Sequence, residues 1–407
     1  MRGNAAPQIS GQGEKTMMKT SIRPTSATRL LGALAWCAAI GSTNCFAQSA
    51  VIDGFTPTGS LSLQQIDLNA VTLNGGKVFM TNGYAVEVYD STTHTFSTSA
   101  LQDSRSGGVP ATFSTTLLAN GRVLIAGGGQ GITTAELFDP ASGTSNFTAS
   151  LNQARQSHSA VRLLDGRVLL TGGEVWDDTN ARWQQVESNE IYDPQIAQFV
   201  ATGSMHYPRI FAFANLLQDG KVLVSGGLTV NTDGSISFPL TAELFDPTTG
   251  TFSDTGNIAA PRLALTSTGT VLRDGRVLFT GDWLYGASPE VYDPVLATFS
   301  HVGSMQENRR YHSAHLLPNG KVIVVGGWNG ATTASTELFD PSTNSFTPSA
   351  SMLSPRHRHG AATLEGGRVL VAGGSDWDGT GDFGASFLDS AEIYTSDAIF
   401  LDGFDGR

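Results

Sequence analysis

An all-β fold, a seven-bladed β-propeller of four-stranded antiparallel blades, is what three features of this 407-residue chain predict: a segment that recurs seven times, strand-sized apolar runs between turn residues, and a high glycine content. The 47 glycines are well above the roughly 7% of ordinary chains. With only 16 prolines and no G-X-Y period, they mark tight turns and rule out collagen. Charged residues make up 15% of the chain, against about 25% in typical domains, which argues against a disordered polyelectrolyte. A chain of this length buries about 75% of its unfolded surface and needs no metal or disulfide to fold.

The recurring segment is Gly-Lys/Arg-Val, at Gly76, Gly121, Gly166, Gly220, Gly275, Gly320 and Gly367, with spacings of 45, 45, 54, 55, 45 and 47 residues. Repeats of this period indicate an array of one supersecondary unit. Each copy continues as a short apolar run, and most end in a glycine pair such as Gly172-Gly173 or Gly326-Gly327. A Glu-apolar-aromatic-Asp segment follows, as in Glu136 to Asp139, and Asp-Pro breaks it in the five middle copies. An aromatic such as Phe252 or Phe299 opens the next run. Each unit therefore reads as four strands, a to d, and four strands per 45 to 55 residues make one propeller blade. One blade cannot bury both its faces alone, whereas a ring of blades can. Phe55 to Leu61 copies the strand d pattern of Phe199 to Met205, so the N-terminus should supply strand d of blade 7. Ala398 to Leu401 is the rival, but it does not keep the spacing.

The glycine pair, the glutamate and aromatic after it, and the later aromatic resemble the Kelch repeat over residues 55–397. The chain departs from that pattern in having Phe where a Trp often closes the motif, and Asn82-Gly83 for the glycine pair of blade 1. Galactose oxidase and its relatives are similar in fold. That resemblance implies a copper site whose radical cofactor is a tyrosine cross-linked to cysteine. Cys37 and Cys45 are the only cysteines, and both fall within the export segment described next, so the rest of the chain cannot build it.

Arg23 and Arg29 precede an 11-residue apolar stretch, Leu30 to Ile40, followed by small and polar residues up to Ala47. That order is a signal peptide, too short to span a bilayer as a helix. Residues 1–47 are therefore assigned to export, 48–397 to the propeller and 398–407 to a C-terminal tail. Met17 or Met18 is a better start for such a peptide than Met1, which would make 1–16 an upstream extension. A secreted or periplasmic, monomeric protein without a membrane span is expected. Removing residues 1–47 takes away five basic residues and one acidic residue, moving the net charge from −12 to −16. Such a surface repels nucleic acid, since phosphate binding needs clustered Lys and Arg.

The chain carries no HExxH, G-x-S-x-G, Walker or C-x-x-C signature. Gly127 to Gly131 is glycine-rich, but no helix follows to hold a phosphate. Arg155, Arg309 and Arg356 each stand three residues before a histidine at the entry to strand a, and Arg209 holds the arginine position in blade 4. Recurrence at one repeat position points to a structural role, such as pairing with the strand c glutamate; contact with a ligand is the alternative. The long b–c loops of blades 3, 4 and 7 lie on one face, where binding usually resides. Trp176, Trp183, Trp283, Trp328 and Trp377 lie in or beside these loops, accompanied by Asp177, Asp178, Asp282, Asp376 and Asp378. The tryptophans either pack on neighbouring blades or, with the carboxylates, form a mouth suited to a sugar or polar peptide. No cofactor is expected, although Asp376, Asp378 and Asp382 could offer oxygen ligands to Ca²⁺. The residues thus favour a module that binds a glycan or protein partner without catalysis of its own. A carbohydrate-active enzyme using carboxylates at the pore mouth is the alternative.

Overall fold

The computed structural model describes residues 53–105, 112–231, 233–281, 288–380 and 386–396. They form seven antiparallel four-stranded sheets in which the chain runs outward from strand a to strand d. The inner a strands are Asn69–Thr72, Ser114–Leu117, Ser159–Arg162, Ile210–Leu216, Thr268–Val271, Ser313–Leu316 and Gly360–Thr363. Each packs beside the a strands of the two adjacent blades, which closes a ring around an axis.

Burial follows position in the blade. Strand b has a neighbouring blade on each face and a strand on each edge, so Val123–Ala126, Val168–Thr171 and Val322–Val325 are buried at every residue. The outermost strands bury a single residue, Phe199 in Gln198–Thr202 and Phe346 in Ser345–Pro348. Apolar b-strand runs and largely exposed d strands are the same physics at two radii. An aromatic of strand c meets the strand d phenylalanine directly opposite it: Tyr192 and Phe199 in blade 3, Phe339 and Phe346 in blade 6, each pair 4.9 Å between centroids.

Ring closure uses that same pair. Gly54–Pro57 is the outer strand of blade 7 and pairs with Ala391–Thr395, setting Phe55 opposite Tyr394 with centroids 5.2 Å apart. Pro57 is tolerated there because an edge strand can spare an N–H. The rival segment 398–401 lies outside the described residues.

The glycine pairs allow adjacent blades to approach. Gly172 and Gly173 have φ of 64° and 91°, and a Cβ would come within 2.6 Å of the Arg209 carbonyl oxygen or 2.5 Å of that of Gln156. Blade 1 needs no such approach, since Asn82, Gly83 and Tyr84 alone join its b and c strands (Lys77–Thr81 and Ala85–Asp90).

Candidate functional site on the loop face

Six blade joints carry a buried ion pair. Arg105, Arg155, Arg209, Arg262, Arg309 and Arg356 each reach the strand c glutamate of the following blade, Glu136, Glu190, Glu243, Glu290, Glu337 and Glu392, at 2.7–3.0 Å. The glutamate also accepts an N–H from the d–a loop, as from Gln306 to Glu337 and Leu353 to Glu392. The arginine donates to the first carbonyl of the glycine pair, Gly326 for Arg309 and Gly373 for Arg356. One guanidinium thereby locks a d–a loop to a b–c loop. Arg155, Arg309 and Arg356, weighed above as ligand contacts, are at most 3% exposed, and the blade walls occupy their guanidiniums. The histidines three residues on are similarly engaged. His158, His312 and His359 share hydrogen bonds with Ser114, Thr280 and Ser313 hydroxyls at 2.8–3.0 Å. Burial, helped by the adjacent arginines, pushes His158 and His312 down to about 3.

A second ring lies just inside the first. Asp67, Ser157, Tyr311 and Arg358 stand two residues before their blade's a strand and Phe211 is the second residue of Ile210–Leu216, all with φ of 54–57°. Their main chains are joined around the axis: Asp67 N–H donates to Arg358, Arg358 to Tyr311, Tyr311 to Thr266, Phe211 to Ser157 and Ser157 to Thr112, at 2.8–3.0 Å. Blade 5 has two extra residues here, so Ala264 donates to Phe211 while Thr266 accepts from Tyr311. A left-handed backbone in non-glycine residues is uncommon and persists only where the surroundings enforce it. In these five blades the main chain of the rim is therefore alike, while its side chains differ from blade to blade.

Those side chains converge at blades 6, 7 and 1. Arg358 makes a two-pronged ion pair with Asp67, through Nε at 2.7 Å and through Nη2. Burial raises the Asp67 carboxyl, opposed by Arg358. The Arg358 guanidinium is 5.8 Å from the Tyr311 ring centroid, and Arg310 sits 5.6 Å from Tyr311 and 4.3 Å from the Trp328 ring. His357, 6.1 Å from Tyr311, is pushed down to about 4 by burial and by Arg358. Beside this cluster is a cavity of about 310 Å³ lined by Gln306, Glu307, Asn308, Arg310, Trp328 and Asn329, with the edge of Arg309.

The described tryptophans fall into two groups, all half-buried. Trp328 and Trp377 belong to adjacent blades tied through Thr332, which bridges to Trp328 and donates to the Trp377 carbonyl. Trp176 and Trp183 face each other across the b–c hairpin of blade 3 (Glu174–Asp177 with Arg182–Gln185), edge-to-face at 5.3 Å. Asp177 staples that hairpin's turn, accepting from Asn180 and Gln184, and the Asn180 bond holds its carboxyl low. Asp378 likewise accepts from Thr380, while Asp178 and Asp376 are exposed. Trp283, Asp282 and Asp382 lie outside the described residues.

Among the described residues His206, Glu243 and Asp254 bring three potential metal ligands within 4.8 Å of one another. Glu243 is already bound by Arg209 at 3.0 Å, which supplies the positive charge a cation would bring. The reasoning from sequence missed Arg105, Arg262 and the whole rim. The arginines carried a signal: each stands four residues after the apolar residue that ends strand d, Leu101 and Ile258, as Arg309 does after Met305. The rim carried none, because its positions share a backbone and not a residue type.

Residues 309–353 match the Kelch motif. No curated protein matches the chain. A solved structure described as a novel fungal alcohol oxidase of the AA5 family, in complex with copper, superposes with a TM-score of 0.65 at 16% identity, over 84% of this chain and 76% of that one. At that identity the likeness is one of fold. A copper-radical centre does not fit the residues present, since no cysteine follows residue 45 and His158, His312 and His359 are held in the walls. Seven sheets closed into a ring make this chain a seven-bladed β-propeller, in which the repeat at residues 309–353 matches the Kelch motif.

Proposed function

We propose that this protein is an exported binding module that takes a glycan or a protein partner on the face built by its d–a and b–c loops, without catalysis of its own. One observation carries the reading: Trp328, Arg310, Tyr311, Arg358 and Asp67 are gathered at the rim beside a cavity of about 310 Å³. A half-buried indole and phenol offer flat apolar faces, and the surrounding amides and carboxylates accept and donate hydrogen bonds, the combination that polar ligands need. The hydrogen-bonded main chain of the rim carries these side chains, so less ordering opposes binding.

The test is a glycan array together with a pull-down of extracellular proteins, using the purified protein and its Trp328→Ala variant. A hit that weakens at least tenfold in the variant supports the reading. Hits unaffected by the variant would move the site elsewhere, and product formed from a bound glycan would favour the carbohydrate-active enzyme.

A further inference from the structure

A second cavity, of about 330 Å³, lies on the axis beneath the blade 2 to blade 5 side of the rim. That is about ten times the volume of one water molecule, at roughly 30 Å³ each, and within the range of small-ligand sites. It exists because the residues after the start of strand a are small: Ala160, Ala214 and Gly269. At Gly269 a Cβ would come within 2.9 Å of Asn215 Oδ1, so the glycine leaves space for that amide. Asn215 donates through Nδ2 to the Gly269 carbonyl at 3.0 Å, which fixes the orientation of its side chain. Its Oδ1 has no hydrogen-bond partner among the described residues, and neither has Nδ2 of Asn69 across the cavity. Among the described residues no Asp, Glu, Lys or Arg lines the space, and His158 Nε2 is committed to Ser114.

We propose that this axial cavity binds a small uncharged polyol, of glycerol to monosaccharide size. The unsatisfied donor of Asn69 and acceptor of Asn215 are both met by hydroxyls, which donate and accept at once. Phe113, Phe211 and Leu265 supply apolar wall for the C–H faces. An ion would shed its hydration there with no opposite charge to receive it. The site is independent of the Trp328 cluster.

Ligand-observed NMR and calorimetry of the purified protein test it, with glycerol, D-glucose and D-galactose as probes and D-glucuronate and D-glucosamine as charged controls. At least one neutral polyol should bind at least tenfold tighter than either charged sugar. Asn215→Leu should weaken it tenfold or more, whereas Trp328→Ala should leave it unchanged. Crystals soaked in the bound polyol should show it between Asn69 and Asn215, a readout that stands even if Asn215→Leu fails to fold. Binding of no neutral probe, only ordered water on the axis, or a loss confined to Trp328→Ala would each overturn the proposal.

Discussion

Six blade joints close with a guanidinium on the strand c glutamate; the joint into blade 1 does the same work with neutral groups. There Ser62 donates to Glu87 through its N–H at 2.9 Å and through its hydroxyl, and Gln65 reaches the same oxygen at 3.4 Å. Gln65 stands four residues after Leu61, the place arginine holds elsewhere. The difference follows from what the arginine grips. Where the b–c connection is long, its glycine carbonyl needs a clamp, and Arg309 and Arg356 each donate to that carbonyl and to a second one in the same loop. Blade 1 joins b to c with three residues and has no loop to hold. The glutamate is thus the general device for fastening the d–a loop, and the arginine is added where a long b–c loop is held in place.

Several measurements can break or sharpen that contrast. The largest effect should come from the closure strand. Deleting residues 53–61 removes Phe55 and Leu61, 8% and 3% exposed, and opens an edge on blade 7. At about 1.5–3 kcal/mol per buried side chain and roughly 2–4 °C per kcal/mol for large domains, the melting midpoint should fall by about 10 °C or more. An unchanged midpoint would mean that another segment closes the ring.

Next come the joints themselves. Arg309→Ala leaves Glu337 buried without its partner and should cost about 3–5 kcal/mol. Glu87→Gln in the neutral joint strands no guanidinium and should cost about 1 kcal/mol or less. Equal losses in denaturant titrations of the two variants would refute the distinction between clamped and unclamped joints.

The histidines give a smaller, pH-dependent effect. His158 and His312 are held neutral down to about 3 in the folded chain, while an unfolded imidazole protonates near pH 6.5. Below that pH the unfolded state binds a proton that the native state refuses. Stability is therefore full above about pH 6.5 and is lost as pH falls toward 3, by about 1.4 kcal/mol per pH unit for each histidine. His312→Gln should flatten the slope between pH 6 and 4 by about that amount relative to wild type. Parallel slopes would show that His312 is already charged in the native state.

What the sequence made legible tracks how each feature is encoded. The walls are written in residue types that recur, so the glutamates, the glycine pairs and four of the six arginines could be found by counting. Arg105 and Arg262, like Arg209, have no histidine three residues on, and only their place four residues after Leu101 and Ile258 marks them. The rim is encoded as a backbone conformation shared by Asp67, Ser157, Phe211, Tyr311 and Arg358, and no residue pattern marks it. Tryptophans near the glycine pairs did locate the loop face, but not their separation into a blade 3 pair and a blade 6 and 7 pair.

The smallest effect on stability, and the sharpest on function, should come from Trp328. Its ring is half-buried against Arg310 and lines the cavity, whereas the walls are sealed beneath it by Arg309 and Glu337. If the loop face exists to meet a ligand, Trp328→Ala should weaken binding by roughly 2 kcal/mol or more, about thirtyfold, as for an aromatic hot spot. The melting midpoint should move little, because the ion-paired joint and the rim's main-chain bonds stay intact. A core tryptophan behaves in the opposite way, losing about 3–5 kcal/mol of folding stability on truncation. Trp176→Ala is the matched control, since its edge-to-face partner Trp183 is on the same hairpin. If melting shows that Trp328→Ala costs as much as Arg309→Ala, then Trp328 belongs to the wall, and the rim at blades 6, 7 and 1 loses its claim to be the binding surface.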